Sequence, residues 1–159
     1  MTKNRLFWIV ALVSLVLDQI SKYWVIQNFD LRETWLLLPG VFNLTYIRNP
    51  GVAFGWFSHL RSLWPWLSLG VSLGLMARAW FGSSLSLWSQ LGCGFILGGA
   101  VGNGIDRFRW NEVVDFLDFS PLGFPFIFNV ADVSVNVGIV CLLIAVLREP
   151  QPNGSSRPQ

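Results

Sequence analysis

The chain has 159 residues, of which 53% are hydrophobic and only 13% charged, with a mean hydropathy of +0.52. Ordinary soluble domains carry about 25% charged residues, so this composition is that of a membrane protein. The net charge of +2 is too small to suggest a nucleic-acid partner, and the length allows one compact unit.

Crossing the hydrocarbon core takes about 20 apolar residues in a helix. Four segments qualify, at about 6–26, 62–81, 87–105 and 127–147. The first follows Lys3 and Arg5 as a signal sequence would, but no small-x-small cleavage site follows it. It continues through Asp18 and Lys22 to about Ile26 and is read as a retained span. Between the first two spans, "VFNLTYI" is a β-branched and aromatic run bounded by Pro39-Gly40 and Asn49-Pro50-Gly51. It predicts a strand, and so a small β element at the membrane surface. His59 in the same stretch reads as a polar loop residue; as the only histidine it excludes a multi-histidine metal site.

"FGSSLS" links the second and third spans. Gly94, Gly98 and Gly102 recur every four residues in the third, placing three glycines on one face where another helix can approach closely. "GGAVGNG" lacks the Lys-Ser/Thr and the preceding strand of a nucleotide-binding loop. Cys93 and Cys141 show no CxxC spacing and read as small buried hydrophobes. "EPQPNGSSRPQ" reads as a disordered tail.

Four spans place both termini on one side and both long loops on the other. Lys3, Arg5, Arg78, Arg148 and Arg157 then fall on the terminal side, against Lys22, Arg32, Arg48, Arg61, Arg107 and Arg109 on the loop side. The count does not decide orientation, although the basic N-terminus favours cytoplasmic termini.

Polar groups gather at the loop-side ends of the spans. Asp18 and Lys22 share a helix face, as do Asn103, Asp106 and Arg107, and as do Asn129, Asp132 and Asn136. Asp18–Lys22 and Asp106–Arg107 read as ion pairs that tie helix ends together. Asp115 and Asp132 differ, since neither has a base within four positions and each adjoins an apolar run, "VVDFL" and "NVADV". Unpaired acids in a membrane are functional by default. Two carboxyls within hydrogen-bond reach cannot both ionise, so one keeps a proton. The charged partner can then activate water while the neutral one donates to a carbonyl, which hydrolyses an amide without metal or nucleophilic side chain. The same two acids would also serve a small proton-coupled carrier or channel subunit.

Five blocks, "DQISK" (18–22), "NPGVAF" (49–54), "GNGIDR" (102–107), "VVDF" (113–116) and "FNVAD" (128–132), together resemble those of bacterial lipoprotein signal peptidase, the type II signal peptidase. The resemblance covers about residues 6–147. It implies an aspartic intramembrane endopeptidase that cleaves prolipoproteins on the N-terminal side of a diacylglyceryl-modified cysteine, with no cofactor and no metal. By this resemblance Asp115 and Asp132 are the catalytic pair, and Asn49, Gly51, Asn103, Arg107, Asn129, Asp18 and Lys22 support the site or the substrate. The implied fold is mainly α: a polytopic four-transmembrane-helix bundle with a small extracytoplasmic β-sheet cradle. It forms a single domain over residues 1–147, followed by a cytoplasmic tail at 148–159. The expected partners are prolipoprotein substrates and membrane lipid, the chain acting as a monomer. The expected location is the bacterial inner membrane, with cytoplasmic termini and the acids near the outer leaflet. Gly104 and Ile105 occupy the inner positions of the GN-x-x-DR block and carry no polar chemistry. Phe54, Trp56 and Phe57 are candidates to cover the peptide or its lipid.

Overall fold

A computed structural model describes residues 3–51 and 62–148. Phe54, Trp56, Phe57, His59, Arg61 and the tail from residue 149 lie outside the described residues. The order of elements is α1 (Arg5–Asn28), β1 (Thr34–Leu38), β2 (Phe42–Asn49), α2 (Trp64–Phe81), α3 (Leu87–Trp110), β3 (Val113–Asp118), a 3-10 turn at Ser120–Leu122, β4 (Ile127–Phe128) and α4 (Val130–Arg148). The protein is mainly helical, with one small antiparallel sheet in the order β1-β2-β3-β4.

Among the described residues, α1 and α4 are long and apolar enough to cross a membrane. Only 28% of each apolar window is buried, which distinguishes these helices from the core of a soluble protein. Ile9, Leu12, Leu17 and Ile20 of α1 point outward, as do Ile139, Val140, Leu143 and Val146 of α4. In water such faces would be strongly unfavourable; in lipid they are at home.

Helix packing follows the glycines. A Cβ at Gly94 would meet the Phe7 carbonyl oxygen at 2.8 Å, one at Gly98 the Ser14 Cβ at 2.6 Å, and one at Gly102 the Asp18 carboxylate. The stripe seen in the sequence is therefore the seat of α1. A second set was not evident from four-residue spacing. A Cβ at Gly99 would meet the Ala131 carbonyl oxygen at 2.5 Å, and Gly92 and Gly138 lie against each other's backbones. These three seat α4 on the opposite flank of α3. The third helix is thus the central post, and its glycines hold both neighbours at backbone distance.

Two predicted boundaries move. The third span was expected to end at residue 105, but α3 continues to Trp110 and stops where Asn111 adopts the left-handed conformation, at φ 56°. Asp106, Arg107 and Arg109 end the apolar run without ending the helix, because their backbones still hydrogen-bond. The fourth span was expected from 127, but Ile127 and Phe128 pair with Asp118 and Leu117 as β4, and α4 starts at Val130.

The "VFNLTYI" strand is observed as β2. A bulge between Leu44 and Ile47 shifts its register, so that Ile47 lies opposite Asp115. On β3 the side chains alternate. Val114 and Phe116 pack with Val25, Phe29 and Tyr46 in a cluster that docks the sheet on the end of α1. Val113 and Asp115 face the other way, into a cavity.

Gly99→Ala is expected to push α4 off α3 and lower stability by about 1–3 kcal/mol, the usual cost of overpacking. Thermal unfolding in detergent checks this; a wild-type midpoint contradicts the packing described.

Candidate active site

The cavity holds about 670 Å3 and is lined by Asn49, Gly51, Asn103, Arg107, Asp115, Asp132 and Asn136, with Arg48 and the Pro125–Phe128 segment on its walls. Of the residues expected at the site, Asn129, Asp18 and Lys22 do not line it. They stand behind it and hold it in shape.

Asn129 is fully buried and joins the two acids. Its Nδ2 donates to Asp115 Oδ1 at 2.6 Å and to Asn103 Oδ1 at 3.0 Å. Its Oδ1 accepts the Asp132 backbone N–H at 3.0 Å, and its own backbone N–H donates to Asp132 Oδ2 at 3.1 Å. The last two bonds form a reciprocal capping box with Asn129 as N-cap and Asp132 at N3. The start of α4 thereby fixes the Asp132 carboxylate, whose Oδ1 also accepts from Asn103 Nδ2 at 2.8 Å. On the sheet side, Asn49 Oδ1 accepts the Gly51 N–H at 3.0 Å in an Asx turn. That leaves Asn49 Nδ2 aimed at Asp115 Oδ2, at 2.9 Å.

The surroundings of Asp115 favour its protonated form. It is 2% exposed. Burial first, and the charge of Asp132 second, push its carboxyl up to about 7, against the hydrogen bonds of Asn49 and Asn129 and the charge of Lys22. Buried carboxylates near a like charge behave in this way.

Behind this pair lies a second polar cluster. Lys22 Nζ reaches Asp18 Oδ2 at 2.9 Å, Asp106 Oδ2 at 2.9 Å and Asn103 Oδ1 at 2.8 Å. All three ammonium protons are used. Each acid of the cluster also accepts a backbone N–H from the residue just before one of the cavity acids. Asp106 Oδ2 takes Val114 N–H at 3.2 Å, and Asp18 Oδ1 takes Ala131 N–H at 2.9 Å. Lys22 also orients the Asn103 carboxamide, leaving its NH2 for Asp132.

The sequence-based pairing of Asp106 with Arg107 is therefore corrected. Among the described residues, Lys22 is the ion-pair partner of both Asp18 and Asp106. Proximity in sequence misled because Asp106 turns toward α1, whereas Arg107 lines the cavity near the charges of Asp132 and Asp115. Arg48 was not singled out from sequence. It lines the cavity wall, donates from Nε to the Tyr46 hydroxyl at 2.7 Å and stacks over Trp110 at 4.2 Å. Its position beside Asn49 on β2 was the available signal.

Comparison with known proteins agrees with this geometry. Residues 10–148 match the family described as signal peptidase (SPase) II. A lipoprotein signal peptidase of Nostoc sp. is 54% identical over 157 residues, covering 99% of this chain and 98% of its own. One from Cyanothece sp. is 58% identical over 146 residues, covering 90% of this chain and 84% of its own. A solved structure described as a bacterial membrane enzyme superposes with a TM-score of 0.81 at 28% identity, covering 95% of this chain and 92% of that one. A second gives 0.78 at 29% identity, over 89% and 92%. The chain belongs to the signal peptidase II family. It is a peptidase, which decides against the carrier reading of the same acids.

Lys22→Met strands two buried carboxylates and is expected to destabilise the protein by about 3–5 kcal/mol. Thermal unfolding in detergent measures the change; a loss below 1 kcal/mol would contradict the cluster's role.

Proposed function

We propose that this protein is an aspartic endopeptidase that removes signal peptides from diacylglyceryl-modified prolipoproteins, with Asp115 and Asp132 as the catalytic pair. Family membership supports the substrate class. The observation that carries the mechanism is the Asn129 bridge, which links both carboxyls at the wall of one cavity.

Asp132 lies in the first turn of α4, where helix N–H groups favour negative charge. It acts as the base. A water between the acids gives Asp132 a proton as its oxygen attacks the carbonyl carbon before the lipidated cysteine. Asp115, protonated near neutral pH, donates to the carbonyl oxygen. Collapse of the tetrahedral intermediate returns that proton to Asp115, and Asp132 passes its own to the departing cysteine nitrogen. The new acid terminates the signal peptide and the new amine starts the lipoprotein. Arg107, across the cavity, offers positive charge to the carbonyl oxygen. Asn49, Gly51, Asn103 and Asn129 position the pair, and Asp18 and Lys22 brace it.

The same reading places all four helices across the membrane as one domain over residues 1–147, working as a monomer. It sets the termini in the cytoplasm and the sheet at the outer face of the bacterial inner membrane. The basic N-terminus, Lys3 and Arg5 at the start of α1, supports that orientation. Arg78 and Arg148 share its side, whereas Arg32, Arg48, Arg107 and Arg109 lie toward the sheet end, so the full count of cations adds nothing to it. Lys22, counted on the loop side from sequence, is 2% exposed and neutralised by its acids.

Asp115→Asn and Asp132→Asn are each expected to abolish cleavage of a diacylglyceryl-modified precursor while the protein still inserts; full activity in either variant rejects that residue's role. Because Asp115 must hold its proton, kcat/KM is expected to fall as pH rises through about 7. A rate that keeps climbing from pH 6 to 9 would reject the requirement for a protonated carboxyl.

A further inference from the structure

Asn136 lies on α4 four residues after Asp132, on the same face and about 6 Å further along the helix. It lines the cavity and is exposed there. Its Nδ2 donates to the Asp132 carbonyl oxygen at 3.0 Å, while its Oδ1 and second amide proton have no partner among the described residues. Its neighbours Val133, Val137, Ile139 and Val140 are exposed and apolar. Ser134, the other polar side chain in this stretch, is buried and satisfied by the Val130 carbonyl at 2.9 Å. Thus, one turn beyond Asp132, a half-satisfied carboxamide faces the cavity from a stretch whose other exposed side chains are apolar. A polar group in that setting is expensive unless something meets it.

The reaction supplies a partner. A peptide bond must leave helical geometry to be attacked, and unwinding in an apolar medium frees N–H and C=O groups that water does not reach. On the reading above, the signal-peptide side of the scissile bond runs from the two acids toward the bilayer middle, the direction in which Asn136 follows Asp132. We propose that Asn136 is a substrate-binding residue for the extended signal-peptide backbone just before the lipidated cysteine. Its Oδ1 accepts one backbone N–H of that segment. This inference rests on the peptidase reading and adds where the unwound segment lies.

The test uses the full-length enzyme in lipid nanodiscs and synthetic precursors with a diacylglyceryl cysteine. One precursor is all-amide. Three others replace the N–H of the first, second or third residue before the cysteine with an ester oxygen. Asn136→Leu removes the carboxamide. Asn136→Ser keeps a donor to the Asp132 carbonyl, as Ser134 does to Val130, but falls short of the substrate. Both variants are expected to lose about fivefold to tenfold in kcat/KM on the all-amide precursor, the worth of one hydrogen bond, through KM with kcat held. One ester precursor is expected to lose the same factor on wild type and nothing further on either variant. Independent, multiplying losses overturn the proposal, as does full activity in Asn136→Ser or a fall in kcat alone. A wild-type enzyme that leaves the all-amide precursor intact overturns the peptidase reading instead.

Discussion

A single buried carboxamide, that of Asn129, ties together two acids carried on different elements, one on β3 and one on α4. One hydrogen bond from it holds a carboxyl on β3, and a reciprocal pair holds a carboxyl at the start of α4. Hydrogen bonds in such a low-dielectric interior are strong when complete and costly when broken, so the arrangement tolerates little drift. Sheet and helix are fixed to one another at the two acids.

The Lys22 cluster extends that constraint to α1 and α3. Its two acids grip the backbone one residue before Asp115 and one residue before Asp132. Its ammonium sets the orientation of Asn103, which completes the hold on Asp132. A buried ion pair contributes little net stability against an apolar alternative, so specifying this geometry is the better explanation for its presence. The glycines of α3 make the cluster possible, because only backbone-distance packing lets one ammonium reach two helices and an asparagine. Gly102, directly under the Asp18 carboxylate, shows how tight that approach is.

Much of this was legible in the chain. Apolar runs marked four helices, the aromatic and β-branched run marked β2, and four-residue glycine spacing marked the α1 seat. Asp115 and Asp132 stood out because charge in apolar surroundings is expensive. Pairing was less legible. Asp106 seemed committed to Arg107 by adjacency, but the side chains diverge and Lys22, 84 positions earlier, takes the acid. The second glycine set does not repeat every four residues, and β4 is two residues long, too short to produce a pattern. The end of α3 was misplaced because hydropathy reports solvent preference whereas a helix ends where its hydrogen bonds do.

The central claim is that the two carboxyls are electrically coupled and that Asp115 carries the shared proton near neutral pH. Carbon-13 NMR of selectively labelled aspartates, titrated in lipid, reads this directly. The Asp115 carboxyl is expected to titrate near 7 in the wild type and at a lower pH in Asp132→Asn, where the neighbouring negative charge is gone. An Asp115 that titrates near the ordinary carboxylate value of about 4 in both proteins would contradict the account.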